Sequence, residues 1–165
     1  MNYVTEKQDS ELVQLTAFRV GQEEYVVDIM RVREIIRPLT VTKVRKGPRF
    51  VEGVINLRGE VIPIVDLRVR FELPPEDSER RRIIILMVEG RVLGIVVDSV
   101  TEVVRAPRNT IRGAPGIFTP EQAPYFLGVC QYRGRTLLLL NVKNVVASED
   151  SIDVVGANEI ARSSM

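Results

Sequence analysis

The side chains that usually perform catalysis are scarce in this chain of 165 residues, which contains no histidine and a single cysteine, Cys130. Histidine is the usual general base and the most common metal ligand, so a Cys/His or Ser/His catalytic pair cannot be assembled. Catalysis by carboxylates or lysine stays formally open, but no pairing of acidic residues suggests it. The sequence therefore predicts a protein that is not an enzyme, with Cys130 as a buried structural thiol.

Residues that could hold a metal ion or a phosphate group are also poorly arranged. Asp66, Asp98 and Glu102 are single carboxylates among apolar residues, without the spacing of a calcium-binding loop. The segment Gly113–Gly116 is not followed by the Lys-Ser/Thr pair of a phosphate-binding loop. We therefore expect no metal site and no cofactor.

Two Arg-Gly pairs, Arg58-Gly59 and Arg133-Gly134, follow aliphatic runs in the manner of hairpin turns. An arginine at a hairpin tip can reach a carboxylate or a carbonyl group of another protein with its planar guanidinium group. The alternative is that both pairs only form turns, with the glycine supplying any positive φ. The residues alone leave these two interpretations level.

Val32 and Glu34 are two positions apart in a predicted strand, which places them on one face. Either residue could meet a partner, or Val32 could pack in the core and Glu34 could be a solvated charge. Asn56 should share the face of Arg58. Glycines within predicted strands, at positions 53, 94 and 128, are more readily explained by a bulge or the close approach of another backbone.

Composition limits the possible partners. Charged residues make up 27% of the chain, but the formal net charge is only +1, and aromatic residues make up 5%. A nucleic-acid-binding protein of SH3-like fold would be expected to carry a basic face with exposed aromatic residues, so this alternative is disfavoured. Residues 1–11 lack the apolar core of a signal peptide, and the longest aliphatic runs have the length of strands. A lone cysteine fits a reducing cytosol.

Short runs rich in β-branched residues, separated by turn signals, predict an all-β protein. Short helices are expected at Leu67–Phe71 and Asn141–Ala147. The predicted strands of the first half are Leu12–Val20, Tyr25–Ile29, Val32–Ile36, Gly53–Leu57 and Val61–Val65.

The pattern then repeats. The shift along the chain that places Phe18 on Leu86 also places Glu34 on Glu102, and a slightly larger shift places Arg58-Gly59 on Arg133-Gly134. Each copy spans about 70 residues, near the lower size limit of an independent fold, so we expect two small barrels with a shared core. The predicted organisation is a lead at 1–11, one domain at 12–147 with barrels at about 12–72 and 83–147, a linker at Leu73–Arg82, and a tail at 148–165.

Two segments resemble the signatures of one family. Gly53–Leu67, which reads GVINLRGEVIPIVDL, is similar to the hallmark segment of CheW-type domains, and Gly94–Val100, which reads GIVVDSV, is similar to their second signature. The resemblance extends from about Leu12 to Ala147. It implies two intertwined five-stranded SH3-like β-barrels with a few short helices. Two departures are the segment Val44–Gly47, where the family usually has an Ile-Pro or Leu-Pro, and Asn141 in place of an expected aspartate.

The resemblance also implies a function, which is that of a non-enzymatic adaptor in chemotaxis. The partners would be the regulatory domain of a CheA-type histidine kinase and the cytoplasmic tip of a methyl-accepting chemoreceptor, with no nucleic acid and no direct insertion into a membrane. The protein would be cytoplasmic and recruited to receptor arrays at the inner membrane. A CheW-like scaffold of another motility or developmental pathway is the alternative. The implied receptor-binding residues are Asn56, Arg58, Gly94 and Ile83, and the implied kinase-binding residues are Val32, Glu34 and Gly53.

Overall fold

The computed structural model describes residues 11–44, 51–113 and 116–146. The predicted lead up to residue 10, the departure at residues 45–47 and the predicted tail lie outside these residues. Eleven strands and two short α-helices follow one another along the described chain, together with three 3-10 turns. The strands are β1 Leu12–Val20, β2 Glu23–Asp28, β3 Val32–Ile36, β4 Val51–Leu57, β5 Glu60–Asp66, β6 Arg82–Val88, β7 Arg91–Val97, β8 Ser99–Pro107, β9 Ile111–Arg112, β10 Phe126–Tyr132 and β11 Arg135–Leu140; the helices are α1 Leu67–Arg70 and α2 Val142–Val146.

The strands form two curled sheets. Sheet 1 has the order β8-β1-β2-β11-β10-β9, and sheet 2 has the order β3-β6-β7-β5-β4. All neighbours pair antiparallel except β2 with β11 and β5 with β7, which are parallel. The all-β class expected from the sequence is confirmed.

The internal repeat is visible strand by strand. The shift that places Phe18 on Leu86 carries β1, β2 and β3 onto β6, β7 and β8, and the shift that places Arg58 on Arg133 carries β4, β5 and α1 onto β10, β11 and α2. The pairing of strands, however, does not follow the copies. Strand β3 of the first copy pairs with β6 of the second copy, and β8 of the second copy pairs with β1 of the first. Each sheet is therefore built from both halves of the chain.

Three large apolar clusters form the core, one within each sheet and one between the sheets. One lies within sheet 1 and contains the buried Cys130, and another lies within sheet 2 and consists of Ile55, Ile62, Ile64, Ile83, Ile85 and Val96. The largest takes residues from both sheets, including Phe18, Tyr25, Ile84 and Leu138. Stacked aromatic rings cross this shared core, with Tyr25 against Phe18, Phe71 and Phe126. Burial of apolar surface from both sheets in one cluster stabilises their packing against each other.

In each sheet, another backbone segment passes close to a glycine. In sheet 2, Thr42 and Val54 exchange backbone hydrogen bonds of 2.8 and 2.9 Å, and a Cβ on Gly53 would overlap the carbonyl oxygen of Thr42. In sheet 1, β9 pairs with β10, and a Cβ on Gly128 would lie 2.6 Å from the carbonyl oxygen of Arg112. The two glycines, related by the repeat, permit the close approach of another backbone, as expected from the sequence.

Candidate partner-binding surface

The hairpin between β4 and β5 places an arginine at its tip. Arg58 has φ of 52° and Gly59 has φ of 86°, which is the combination of left-handed residues found in a type I′ turn. Glycine was expected to supply any positive φ of this turn, but both residues are left-handed. The side-chain Oδ1 of Asn56 accepts a hydrogen bond of 2.9 Å from the Gly59 backbone N–H. Asn56 therefore helps to shape this turn, although its side chain lies at the surface.

Arg58 is ion-paired with Glu34. Its Nη2 donates to Glu34 Oε1 at 2.8 Å and to Oε2 at 2.7 Å. A second pair, Arg33 with Glu60 at 3.0 Å, joins the same two elements. Strands β3 and β4 are the two edges of sheet 2, so these ion pairs connect its hairpin tip to its far edge. The structure thus brings together Glu34, expected at the kinase surface, and Arg58, expected at the receptor surface.

This ion pair is accessible to a partner. The side chain of Arg58 is 67% exposed and that of Glu34 is 29% exposed. Exposed pairs of this kind contribute at most about 1 kcal/mol to folding, so the pair can be rearranged without much loss of stability. A guanidinium group held in a defined orientation at a protruding turn is a suitable anchor for a partner carboxylate.

The matching turn of the second copy is chemically different. Arg133 also has a positive φ, of 50°, but its guanidinium carbon lies 5.1 Å from the centroid of the Tyr132 ring. Glu102, the equivalent of Glu34, is bound instead by Arg135 at 2.7 Å. The two copies therefore share a backbone turn and differ in what the tip arginine contacts.

Val32 and Glu34 do not share a face, so the sequence prediction was wrong on this point. Val32 pairs with Leu86, and Glu34 pairs with Ile85, because a bulge interrupts the register between them. Leu86 belongs to the shared core and Ile85 to the cluster within sheet 2. An extra residue in one strand reverses the alternation of side chains between the two faces of the sheet. This reversal cannot be detected from the alternation of residue types in the sequence. Val32 is half-buried against the shared core.

The remaining predicted residues lie in the interior. Gly53 and Gly94 are buried, and Ile83 is only 1% exposed. A Cβ on Gly94 would lie 2.7 Å from Ile64 Cδ1 and 2.8 Å from Ile83 Cγ2, so that its lack of a side chain lets β5, β6 and β7 pack closely. Because these three residues are buried, they can affect the binding of a partner only through the shape of sheet 2, and not by touching the partner.

Comparison with known proteins agrees with this architecture. The profile of the CheW-like domain family matches residues 14–150. This chain belongs to the CheW-like family.

Its relatives include the chemotaxis protein CheW of Klebsiella aerogenes, which is 37% identical over 134 residues, covering 81% of each chain. The chemotaxis protein CheW of Rhizobium meliloti is 38% identical over 138 residues, covering 83% of this chain and 89% of its own. Among solved structures, the scaffolding protein TtCheW from Thermoanaerobacter tengcongensis superposes with a TM-score of 0.78 at 29% identity, covering 85% of this chain and 96% of TtCheW. The two curled sheets are thus the paired SH3-like barrels of CheW-like proteins. None of the described helices has the length and apolar character needed to cross a membrane.

The three acidic residues considered for a metal site belong to separate interactions. Asp66 Oδ1 accepts from the Arg68 backbone N–H at 2.9 Å and caps α1, whereas Asp98 pairs with the Arg68 side chain and Glu102 with Arg135. Each carboxylate therefore has a structural role of its own.

A charged cleft of about 260 Å³ was not anticipated from the sequence. It lies between sheet 2 and the linker, and Glu52 is on its wall, with Oε2 buried and without a hydrogen-bond partner among the described residues. Burial raises the pKa of Glu52, the neighbouring Asp66 raises it further, and Arg81 and Lys43 oppose the shift. A glutamate that follows Phe50 and Val51 at the start of a strand gives no sequence signal of such burial.

We expect Glu52→Gln to raise the melting temperature at pH 7, by roughly 1–2 °C. A carboxyl group whose pKa is raised by folding destabilises the folded state above that pKa, and this cost disappears as the pH falls through it. The gain from glutamine should therefore shrink between pH 7 and pH 4. Thermal melts of both proteins across this range provide the measurement, and a gain that grows on acidification would contradict the assignment.

Proposed function

We propose that this CheW-like protein is a non-enzymatic adaptor that couples methyl-accepting chemoreceptors to a CheA-type histidine kinase in chemotaxis. The observation that carries the proposal is the exposed Arg58–Glu34 ion pair, where the two surfaces expected to meet different partners are joined. The relatives named chemotaxis protein CheW and the structural neighbour described as a scaffolding protein support the same role.

In this proposal the kinase regulatory domain, itself CheW-like, packs barrel against barrel along the edge strand β3, where it meets Glu34 on one face and the exposed part of Val32 on the other. Gly53 shapes the sheet beneath. The helical tip of the receptor lies in the groove between the barrels, where Arg58 and Asn56 meet it and Ile83 and Gly94 shape the surface from within. The protein acts in the cytoplasm at receptor arrays and needs no cofactor.

Arg58 links the two contacts because it is bonded to Glu34 at 2.7 Å. A receptor carboxylate that binds Arg58 competes with Glu34 for the same guanidinium group. Receptor binding thereby alters the charge that Glu34 presents beside the kinase contact. Such coupling is reciprocal in free energy, so the kinase must also change the affinity of the protein for the receptor.

The test is reconstitution from purified components. The full chain is mixed with membranes bearing a chemoreceptor and with the kinase of the same cell, and sedimentation and kinase activity are measured. We expect the chain and the kinase to sediment together with receptor membranes, and kinase activity to respond to receptor ligand only when the chain is present. Absence of binding to either partner would refute the adaptor role.

Val32→Asp is expected to weaken kinase binding by about tenfold or more, since it places a charge in the proposed contact. Val32 also packs on the shared core, so the substitution should lower the melting temperature as well. Val100→Asp is the matched control because Val100 is the equivalent residue of the second copy and packs on the same core. If the two variants have similar melting temperatures and only Val32→Asp loses kinase binding, the result supports a contact at Val32. Equal losses of binding would mean that Val32→Asp acts only through folding.

A further inference from the structure

Arg68, in the short helix α1, is a charged side chain held almost entirely inside the protein. It is only 8% exposed. Its Nε donates to Asp98 Oδ1 at 2.9 Å and its Nη2 to Asp98 Oδ2 at 2.5 Å, which is the two-pronged geometry favoured between arginine and a carboxylate. The same guanidinium group donates to the Pro74 carbonyl oxygen at 2.8 Å and to Glu76 at 3.0 Å. The side chain of Arg68 therefore connects α1 to the linker and to the segment around Asp98.

Asp98 is the point at which the chain passes from one sheet to the other. It is the single residue between β7 of sheet 2 and β8 of sheet 1. Its backbone N–H donates to the Arg19 carbonyl oxygen at 2.9 Å, and its Oδ2 accepts from the Gly21 N–H at 2.8 Å. Arg19 and Gly21 belong to β1 and its turn, in sheet 1. Arg68 is thus connected through Asp98 to the opposite barrel.

The repeat supplies an internal comparison, since the chain also passes between the sheets in the first copy. The equivalent passage, from β2 to β3, is the 3-10 turn Ile29–Arg31. Met30 stands there in the position of Asp98 and is 86% exposed. Lys143 stands in the position of Arg68 and pairs with Glu89 at the surface, at 3.0 Å. Of these two passages, both within the described part of the chain, only the one at Asp98 is held by an ion pair with a buried arginine.

A buried ion pair is weak evidence for stability, because desolvation of the two charges offsets much of their attraction. What such a pair does fix is geometry, since any arrangement that separates the partners leaves a buried charge without compensation. At Asp98 the geometry concerned is the position of one barrel relative to the other.

We propose that Arg68 is a positioning residue that fixes the angle between the two barrels, and that transmission from receptor to kinase requires this fixed angle. The proposal rests on the proposed adaptor function and extends it to a residue that touches neither partner. With the angle fixed, a displacement of the hairpin around Arg58 is passed to the rest of the domain. With the angle free, the kinase still binds on the side of β3, but the groove between the barrels no longer holds the receptor tip in one arrangement relative to the kinase.

The test uses Arg68→Lys, which keeps the positive charge. Lysine cannot form a bidentate pair with Asp98 and also reach the linker. Lys143→Ala, at the equivalent surface position, is the matched control. The angle is measured from the distance between spin labels on cysteines introduced at the exposed positions Arg91 and Arg105, one in each sheet; the native Cys130 is fully buried and does not compete for label. Hydrogen exchange of the Gly21 and Asp98 backbone amides reports directly on the hydrogen bonds around Asp98.

For Arg68→Lys we expect a broadened distance distribution, exchange at Gly21 and Asp98 faster by about tenfold, and receptor-dependent kinase activation lower by about tenfold. Affinity for the kinase alone should stay within about twofold of the unaltered protein, because its proposed contact lies on β3 of sheet 2, whereas affinity for the receptor, whose groove depends on the angle, should fall. Lys143→Ala should match the unaltered protein throughout. Asp98→Asn, which retains an oxygen for the Gly21 N–H, replaces Arg68→Lys if the latter does not fold, and carries the same expectations.

An unchanged distance distribution would overturn the proposal, as would full activation despite a broadened one. Loss of activation in parallel with both separate affinities would also overturn it, because the residue would then act only on folding. Failure of the adaptor role itself is a different result: the unaltered protein would bind neither partner, and the distance and exchange measurements would still decide whether Arg68 sets the angle.

Discussion

Gly53→Ala is expected to lower the free energy of unfolding by more than about 3 kcal/mol, because the added methyl group has no space. Its Cβ would overlap the Thr42 carbonyl oxygen, and that carbonyl is held in place by the hydrogen bond it accepts from Val54 N–H. Gly53 also has φ of 157°, within the range that disfavours other residues. Chemical denaturation followed by circular dichroism provides the measurement.

Three glycines serve as controls. Gly128→Ala meets the Arg112 carbonyl oxygen in the equivalent place and should be similarly destabilised. Gly59→Ala has open space but a positive φ, which corresponds to a cost of about 1 kcal/mol. Gly113→Ala has neither constraint and should be close to neutral. If Gly53→Ala kept full stability and lost only kinase binding, Gly53 would be a contact residue and its structural role would be rejected.

Arg58→Asn should weaken the complex with receptor and kinase roughly thirtyfold, which corresponds to about 2 kcal/mol for an arginine at the centre of an interface. Asparagine is preferable to alanine here because Arg58 has φ of 52°, and asparagine accepts the left-handed conformation of a type I′ turn. The melting temperature should change little, since the lost ion pair with Glu34 is exposed. Receptor-dependent kinase activation and a thermal melt are measured together.

Arg133→Asn is the internal control for this substitution. It removes an arginine from the matching turn with almost the same φ, of 50°, but that arginine lies over Tyr132 and not on Glu102. We expect activation by this variant to equal that of the unaltered protein. Equal losses of activation from both variants would mean that the Arg-Gly pairs serve only their turns.

The strands were predictable from the sequence because alternation and turn residues are local signals. Of the five strands predicted in the first half, β1 and β3 have the predicted bounds, and β2, β4 and β5 begin and end within a few residues of the prediction. The two shifts that align the copies correctly identified equivalent strands. They could not reveal that β3 pairs with β6 and β8 with β1, because equivalence in a repeat carries no information about which edge a strand joins.

The candidate site was less predictable, since its details depend on contacts between distant residues. The bulge after Val32 turned Glu34 to the other face, and only the partner strand reveals it. The pairing of Arg58 with Glu34 joins residues 24 positions apart. Arg68 was absent from the predicted site because an arginine in a short helix is usually solvated, and its burial depends on Asp98, 30 residues further along.

The interleaving of the two sheets also bears on how the protein is made. Synthesis proceeds from the N-terminus, and when the chain as far as Glu72 has left the ribosome, β3, β4 and β5 still lack the two middle strands of sheet 2. Sheet 1 waits longer, because β1 and β2 gain their remaining neighbours only from β8 to β11. Neither barrel can be finished early in translation, and the half-made chain exposes unpaired strand edges for most of its synthesis. The nascent chain is therefore exposed to aggregation through its strand edges until nearly the last described strand has emerged.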